Sequence, residues 1–252
     1  EPTDLMPRDT RKIEDVKEAE VSPVDDARVL IIYLDGINYE ALKEMAYKGY
    51  LPNIKKYFVD GGTEIASTFT VFPSTTFTST AAFLTASFTD RTGIKSDAFL
   101  DRRTMRMKHF FHPYGPAGAA RRMKPGVIGD MVDPTARAEA LDSIYDYVTK
   151  SEMRFSTTVL PVLFDHPPTF YNELLANNIR YLGAHQVRHK FDQINAKFAI
   201  EEVIKKDKRV MYVWLPGADE RSHESPRGQW GGARKPLYNI DRHIGDMIKK
   251  LE

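Results

Sequence analysis

Three short stretches of this chain carry side chains that could do chemistry, and two of them follow apolar runs directly. Asp35-Gly36 comes just after Val29-Leu30-Ile31-Ile32-Tyr33-Leu34. In open α/β sheets, ligands sit beyond the carboxyl ends of the strands. A carboxylate placed there can hold a hard or borderline cation, although capping of the next helix is the plainer role for such an Asp. The second stretch, Val71-Phe72-Pro73-Ser74-Thr75-Thr76-Phe77-Thr78-Ser79-Thr80, is dense in hydroxyls. A hydroxyl at a helix N-terminus faces converging N–H groups and the positive end of the dipole, a good cradle for a phosphoryl oxyanion. A Thr in that position becomes nucleophilic when a metal lowers its pKa; simple Ser/Thr capping would account for the same composition. The third stretch, Pro216 to His223, follows the run Arg209–Leu215. Asp219 and His223, four residues apart, could bind one cation together, since carboxylate and imidazole both suit zinc. A solvated Asp/His loop is the alternative.

The elements that would position these groups alternate between strands and helices. Residues 28–34 and 209–215 read as strands buried on both faces, because their apolar runs are continuous. Further strands are expected at 63–72 and at 156–164, the latter an edge because of Pro161. Helices are expected at 39–49, from Pro52 to Gly61-Gly62, at 76–86, at 136–150, as a pair within 169–206, and at 236–251. This alternation implies an α/β fold, a layered αβα sandwich around a mostly parallel sheet. Residues 1–27, charged and poor in large apolar groups, read as an arm or linker before a domain at 28–252.

Composition narrows the partners. The chain has 252 residues, 36 Lys and Arg against 35 Asp and Glu, and no cysteine. A net charge of +1 excludes a generally basic binder of nucleic-acid duplexes. The lack of cysteine removes disulfides, Cys-based zinc sites and a Cys nucleophile. No stretch is long and apolar enough to be a transmembrane segment. Residues 102–124 hold seven Lys and Arg and no acid, and could form an electropositive contact for an anionic substrate or surface. Compartment and oligomeric state stay open, with an extracytoplasmic location favoured.

Taken together, the order and spacing of these stretches resemble the type I phosphodiesterase/nucleotide pyrophosphatase branch of the alkaline phosphatase superfamily. Asp35-Gly36 matches its strand-terminal Asp-Gly, and Leu51-Pro52-Asn53-Ile54 matches its Pro-Asn helix. Ser74-Thr75-Thr76 matches its nucleophile segment, and Asp219 to His223 its Pro-Asp-x-x-x-His signature. Asp241 matches an Asp on the following helix. The resemblance covers residues 28–252 and implies an alkaline phosphatase-like fold. It implies a metal-dependent hydrolase of phosphodiester or nucleotide pyrophosphate bonds acting on a small anionic phosphate ester. Thr76 would attack phosphorus and form a phosphothreonine. Two divalent metal ions, zinc in most of the family, would be held by Asp35 and Thr76 on one side and by Asp219 and His223 on the other. Phosphomonoester, sulfate-ester or phosphonate hydrolysis within the superfamily, or a non-catalytic scaffold that kept the fold, are the alternatives.

The chain also departs from the family pattern. Ala86 and Thr92 stand where relatives have Gly and His. Asp97 stands where many relatives have a substrate-binding Asn, and a carboxylate there would repel an anion unless protonated or metal-bound. The family's later Asp-His-Gly motif and a further His would fall beyond Glu252. The chain is therefore expected to be incomplete at its C-terminus and, by itself, nearly inactive. Asp165, His166, His185 and His189 are read as structural, and His109 and His112 as part of the basic segment.

Overall fold

The computed structural model describes residues 28–65, 68–96, 98–102, 104–109, 144, 155–157, 190–205, 208–228 and 231–252. The arm at 1–27, most of the helix expected at 136–150, the remainder of the strand expected at 156–164 and the first helix expected within 169–206 lie outside these residues.

The centre is a parallel sheet in the order β1-β5-β4 (Val29–Leu34, Val210–Leu215 and Phe155–Thr157). β1 and β5 pair in parallel from Val29↔Val210 to Leu34↔Leu215. Two successive apolar faces explain why both strands read as unbroken runs. Met211, Val213 and Leu215 point into the main core, with Leu30, Ile32 and Leu34 packed against it. Tyr212 belongs to a second, smaller cluster with Leu84, backed by Ile31, Tyr33, Phe77 and Trp214. Period-two alternation thus sends the side chains of each strand to opposite layers, and each layer is covered by helices. The architecture is α/β with helices on both faces, as the alternation of elements implied.

Two helices close the main-core face. The helix Phe191–Lys205 (here α5) and the helix Arg234–Leu251 (α7) contribute Ala196, Phe198 and Ala199, and Leu237, Ile240, Ile244 and Met247. The spacing in α7 is that of one helical face. Helix α1, Tyr39–Tyr47, is capped by Asn38, whose Oδ1 accepts from Ala41 N at 3.0 Å. Helix α2, Pro52–Ile54, begins with Pro and runs directly into a π-helical segment, Lys55–Asp60.

Asp241, almost fully buried on α7, holds the start of α2. It accepts from Ile54 N at 2.7 Å, from Asn53 Nδ2 at 2.8 Å and from Asn53 N at 3.3 Å. A buried carboxylate survives here because a helix N-terminus supplies donors and the positive dipole end. Gly245 permits the approach, since a Cβ there would fall 2.5 Å from Asn53 Oδ1. The Pro-Asn pattern and its Asp partner are therefore a packing joint between α2 and α7.

One expectation is corrected, and one pair of strands was not expected. The described parts of 63–72 form no strand; alternation of Thr with apolar residues suits a strand, but pairing partners are needed to make one. Instead Thr68, Phe69, Thr70 and Val71 line a cleft. A small antiparallel hairpin at 98–109, not foreseen, pairs β2 (Ala98–Asp101) with β3 (Arg106–His109).

Candidate active site

Asp35 is placed by strand pairing. Its N–H donates to the Leu215 carbonyl at 3.2 Å, one step beyond the β1–β5 ladder. The chain then turns at Gly36, with φ at +60°, and a Cβ on Gly36 would lie 2.3 Å from Asp219 Oδ1. Only glycine allows this conformation and this approach at little cost. The Asp-Gly pair is thus what lets the ends of β1 and β5 bring two carboxylates face to face.

Asp219 stands in the first turn of α6, Gly217–Glu224, and His223 one turn later. The sequence left this segment as a loop or helical turn; it is a regular helix. His223 Nε2 is 3.4 Å from Asp219 Oδ2, and His223 is 79% exposed against 30% for Asp219, so this side of the site is open to solvent. Behind α6 lies Asp192, a residue with no place in the sequence reading. It is buried at the start of α5, and its Oδ1 accepts from Gly217 N at 2.9 Å. Burial pushes its carboxyl up to about 6, with the Gly217 N–H pulling the other way.

Thr76 opens helix α3, Thr76–Thr85. Thr75 and Thr78 form the cap: Thr75 N donates to Thr78 Oγ1 at 3.1 Å, and Thr78 Oγ1 also reaches the Pro73 carbonyl. With those hydroxyls engaged in capping, Thr76 is left to face the sheet edge. Its Oγ1 lies 3.3 Å from each Asp35 oxygen. Residues as far apart in the sequence as Asp35 and His223 therefore line one cleft of about 940 Å³, together with Thr76 and Asp219.

The electrostatics of the cleft are one-sided. No Lys or Arg is among its described lining residues. Burial first, and the Asp219 charge second, push Asp35 up to about 6, while hydrogen bonds from Trp214, Thr76 and the Gly36 backbone oppose the shift. Burial and then the Asp35 charge push Tyr33 up to about 12, so its phenol keeps its proton. Two facing carboxylates with an imidazole and no basic side chain suit a divalent cation, which would relieve their repulsion. Among the described residues no group of three or more His, Asp or Glu side chains is placed to hold a metal ion together.

Other sequence candidates fall elsewhere. Thr92 ends the short helix α4, Thr89–Thr92, and is buried outside the cleft lining, its Oγ1 accepting from Ile94 N at 3.3 Å. Ala86, by contrast, lines the cleft at the C-cap of α3, in a left-handed conformation with φ of 49°. Asp97, His112, Asp165, His166, His185, His189 and most of the basic segment 102–124 lie outside the described residues, as does the side chain of His109. Trp214 was missed as well: its Nε1 donates to Asp35 Oδ2 at 3.0 Å. It sits inside an apolar run, where no local pattern separates it from a core residue.

The family model for type I phosphodiesterase / nucleotide pyrophosphatase matches residues 29–252. The chain belongs to that family. No curated protein sequence matches it, but solved structures of this superfamily do. Murine ectonucleotide pyrophosphatase / phosphodiesterase 5 superposes with a TM-score of 0.60 at 16% identity, over 89% of this chain and 52% of its own. The human protein of the same name gives 0.60 at 17%, over 89% and 52%. Phosphonoacetate hydrolase from Sinorhizobium meliloti 1021, in complex with phosphonoacetate, gives 0.60 at 12%, over 89% and 54%. At these identities the likeness establishes an alkaline phosphatase-like fold. The chain spans about half the length of the structures it matches.

Proposed function

We propose that this chain carries the nucleophile half of a metal-dependent phosphodiesterase or nucleotide pyrophosphatase, with Thr76 as the nucleophile. The observation that carries the reading is the placement of Thr76 Oγ1 at the head of α3, 3.3 Å from Asp35 and in one cleft with Asp219 and His223. Asp35 with Thr76, and Asp219 with His223, would each hold one divalent cation, zinc by family resemblance. When bound, such ions supply the positive charge that draws in a phosphate and stabilises the oxygens around phosphorus.

The residues of the chain supply the rest. Thr76 Oγ1 bonds to phosphorus as the bond from phosphorus to the leaving alkoxide or phosphate breaks, and its proton passes to Asp35 and on through water to the leaving oxygen. The N-terminus of α3 presents backbone N–H groups to the phosphoryl oxygens. Water then attacks the phosphothreonine, the bond to Oγ1 breaks, and Oγ1 regains a proton. Phe69, Phe83 and Phe88 line the cleft and are largely exposed; they offer apolar faces to the organic part of an ester. Support for a threonine role comes from the murine neighbour, whose inactive threonine-to-alanine variant is known in complex with AMP. The equal fit to phosphonoacetate hydrolase makes phosphonate cleavage the second reading.

The test is turnover of bis-p-nitrophenyl phosphate by the intact protein with added zinc. Thr76→Ala should lower it by on the order of 10³-fold or more, and acid quenching should trap phosphate on Thr76. Full activity in Thr76→Ala would remove this residue from the chemistry. Release of phosphate from phosphonoacetate without diester turnover would select the second reading. Lack of both turnover and zinc uptake would select a scaffold.

A further inference from the structure

Thr76 is not the only side chain that meets the Asp35 carboxylate. Asp35 is buried, yet neither Lys nor Arg lines its cleft among the described residues. Its Oδ2 instead accepts from the indole of Trp214 at 3.0 Å. Trp214 lies on β5 opposite Tyr33, the residue two before Asp35 on the paired strand. Its ring is packed against the small cluster of Leu84 and Tyr212, so the indole cannot swing freely. The backbone carbonyl of Trp214 is in turn gripped by the side chain of Asn195, a fully buried residue of α5. An indole is an uncharged, single, donor-only group. It can fix the rotation of a carboxylate without neutralising it.

We propose that Trp214 is a positioning residue for Asp35: it pins Oδ2 and so fixes the rotation of the carboxylate that presents Oδ1 to a divalent cation. This rests on the reading of Asp35 as a cation ligand. A Lys or Arg in the same place would orient the carboxylate equally well but would compete with the cation for its charge. An apolar residue would leave Oδ2 with only the longer contact from Thr76 Oγ1, at 3.3 Å, and the carboxylate less firmly held. Partners of this kind around metal ligands commonly govern affinity.

The experiment compares the intact wild-type protein with Trp214→Phe, using zinc ion alone as the probe. Zinc affinity is read by competition with a chromophoric chelator, and folding by urea denaturation. Trp214→Phe should weaken zinc binding by about 10- to 100-fold. An unchanged affinity in folded Trp214→Phe overturns the proposal. The second measurement reads the indole itself, in protein that keeps Trp214. The indole N–H resonance of Trp214, identified by its absence from Trp214→Phe or by selective labelling, should move upfield in Asp35→Ala and shift again when zinc is added to wild type. A resonance indifferent to both changes also overturns it. If wild type takes up no zinc at all, the proposed function fails first and the positioning role fails with it. That failure is visible in wild type alone, whereas failure of the Trp214 proposal shows only in the comparison with the variant.

Discussion

The two walls of the cleft are built on different foundations. The carboxylate wall, with Asp35 and Asp219, stands on the ends of β1 and β5 and is underlain by the main core of Met211, Val213, Leu215, Ala218, Leu237 and Ile240. The hydroxyl wall, with Thr76, rests on the small cluster around Leu84 and Tyr212, on tilted ring contacts such as Phe83 with Tyr212, and on its own side-chain caps. Its rim is open: Phe72 is 90% exposed and Phe69 77%. Groups that must hold repelling charges at fixed separation are set by sheet register and deep burial. The group that must meet a varied substrate is set by local capping on a thinner support. Changes in the first wall should therefore cost stability and activity together, and changes in the second should separate them.

The sharpest way to break the carboxylate wall is Gly36→Ala. The new Cβ would meet Asp219, and Gly36 sits at φ +60°. Left-handed strain and overpacking together should cost about 3–4 kcal/mol. Displacement of Asp219 should lower diester turnover on the order of 10²-fold. Urea denaturation and turnover are measured on the same preparation, and a stable, active Gly36→Ala would show that the two carboxylates are not held by this contact.

Asp241→Ala tests the support beneath that wall without touching the cleft. Three donors lose their acceptor, two of them backbone N–H groups at the start of α2. The expected loss is about 3 kcal/mol, with turnover per folded molecule nearly unchanged. A large kinetic defect in the folded fraction would mean that the joint between α2 and α7 reaches the site.

The burial of Asp35, and second its repulsion by Asp219, should appear as a pH dependence of stability in the metal-free protein. Asp35 is raised from its usual 3.8 to about 6, so the folded state holds this proton more tightly than the unfolded state. Its contribution to stability is fully present below about pH 4, and is lost as pH rises through 6. The loss should amount to roughly 2–3 kcal/mol. Asp35→Asn should remove that part of the slope, and zinc should reverse it. Asp192 carries a shift of the same sign, so Asp192→Asn serves as the control that isolates the cleft.

The smallest effect sharpens the view of the hydroxyl wall. Ala86 ends α3 with φ at 49°, a conformation that disfavours any side chain. Ala86→Gly should stabilise the chain by up to about 1 kcal/mol and leave turnover within twofold. Destabilisation would show that the Ala86 methyl packs usefully in the cleft.

Much of this molecule was written locally. The unbroken apolar runs at 29–34 and 210–215 are legible as strands because both faces of each are covered. Asp35 and Asp219 are legible as candidates because they stand just past such runs. The hydroxyl cluster before α3 is legible as a helix start because Thr caps helices whatever else it does. The segment 63–72 misled because strand propensity is not strand pairing.

What the sequence alone determined is the α/β class, the family pattern and the residue types available for chemistry, since all three depend on periodicity and spacing along the chain. Only the tertiary structure decided which of those residues meet. Parallel pairing of β1 with β5 sets Asp35 beside Asp219 across most of the chain length. It also aims the Trp214 indole at a carboxylate nearly as far away in sequence, and lets Asp192 grip the start of α6. Such contacts depend on register and layer packing, which no local spacing of residues encodes.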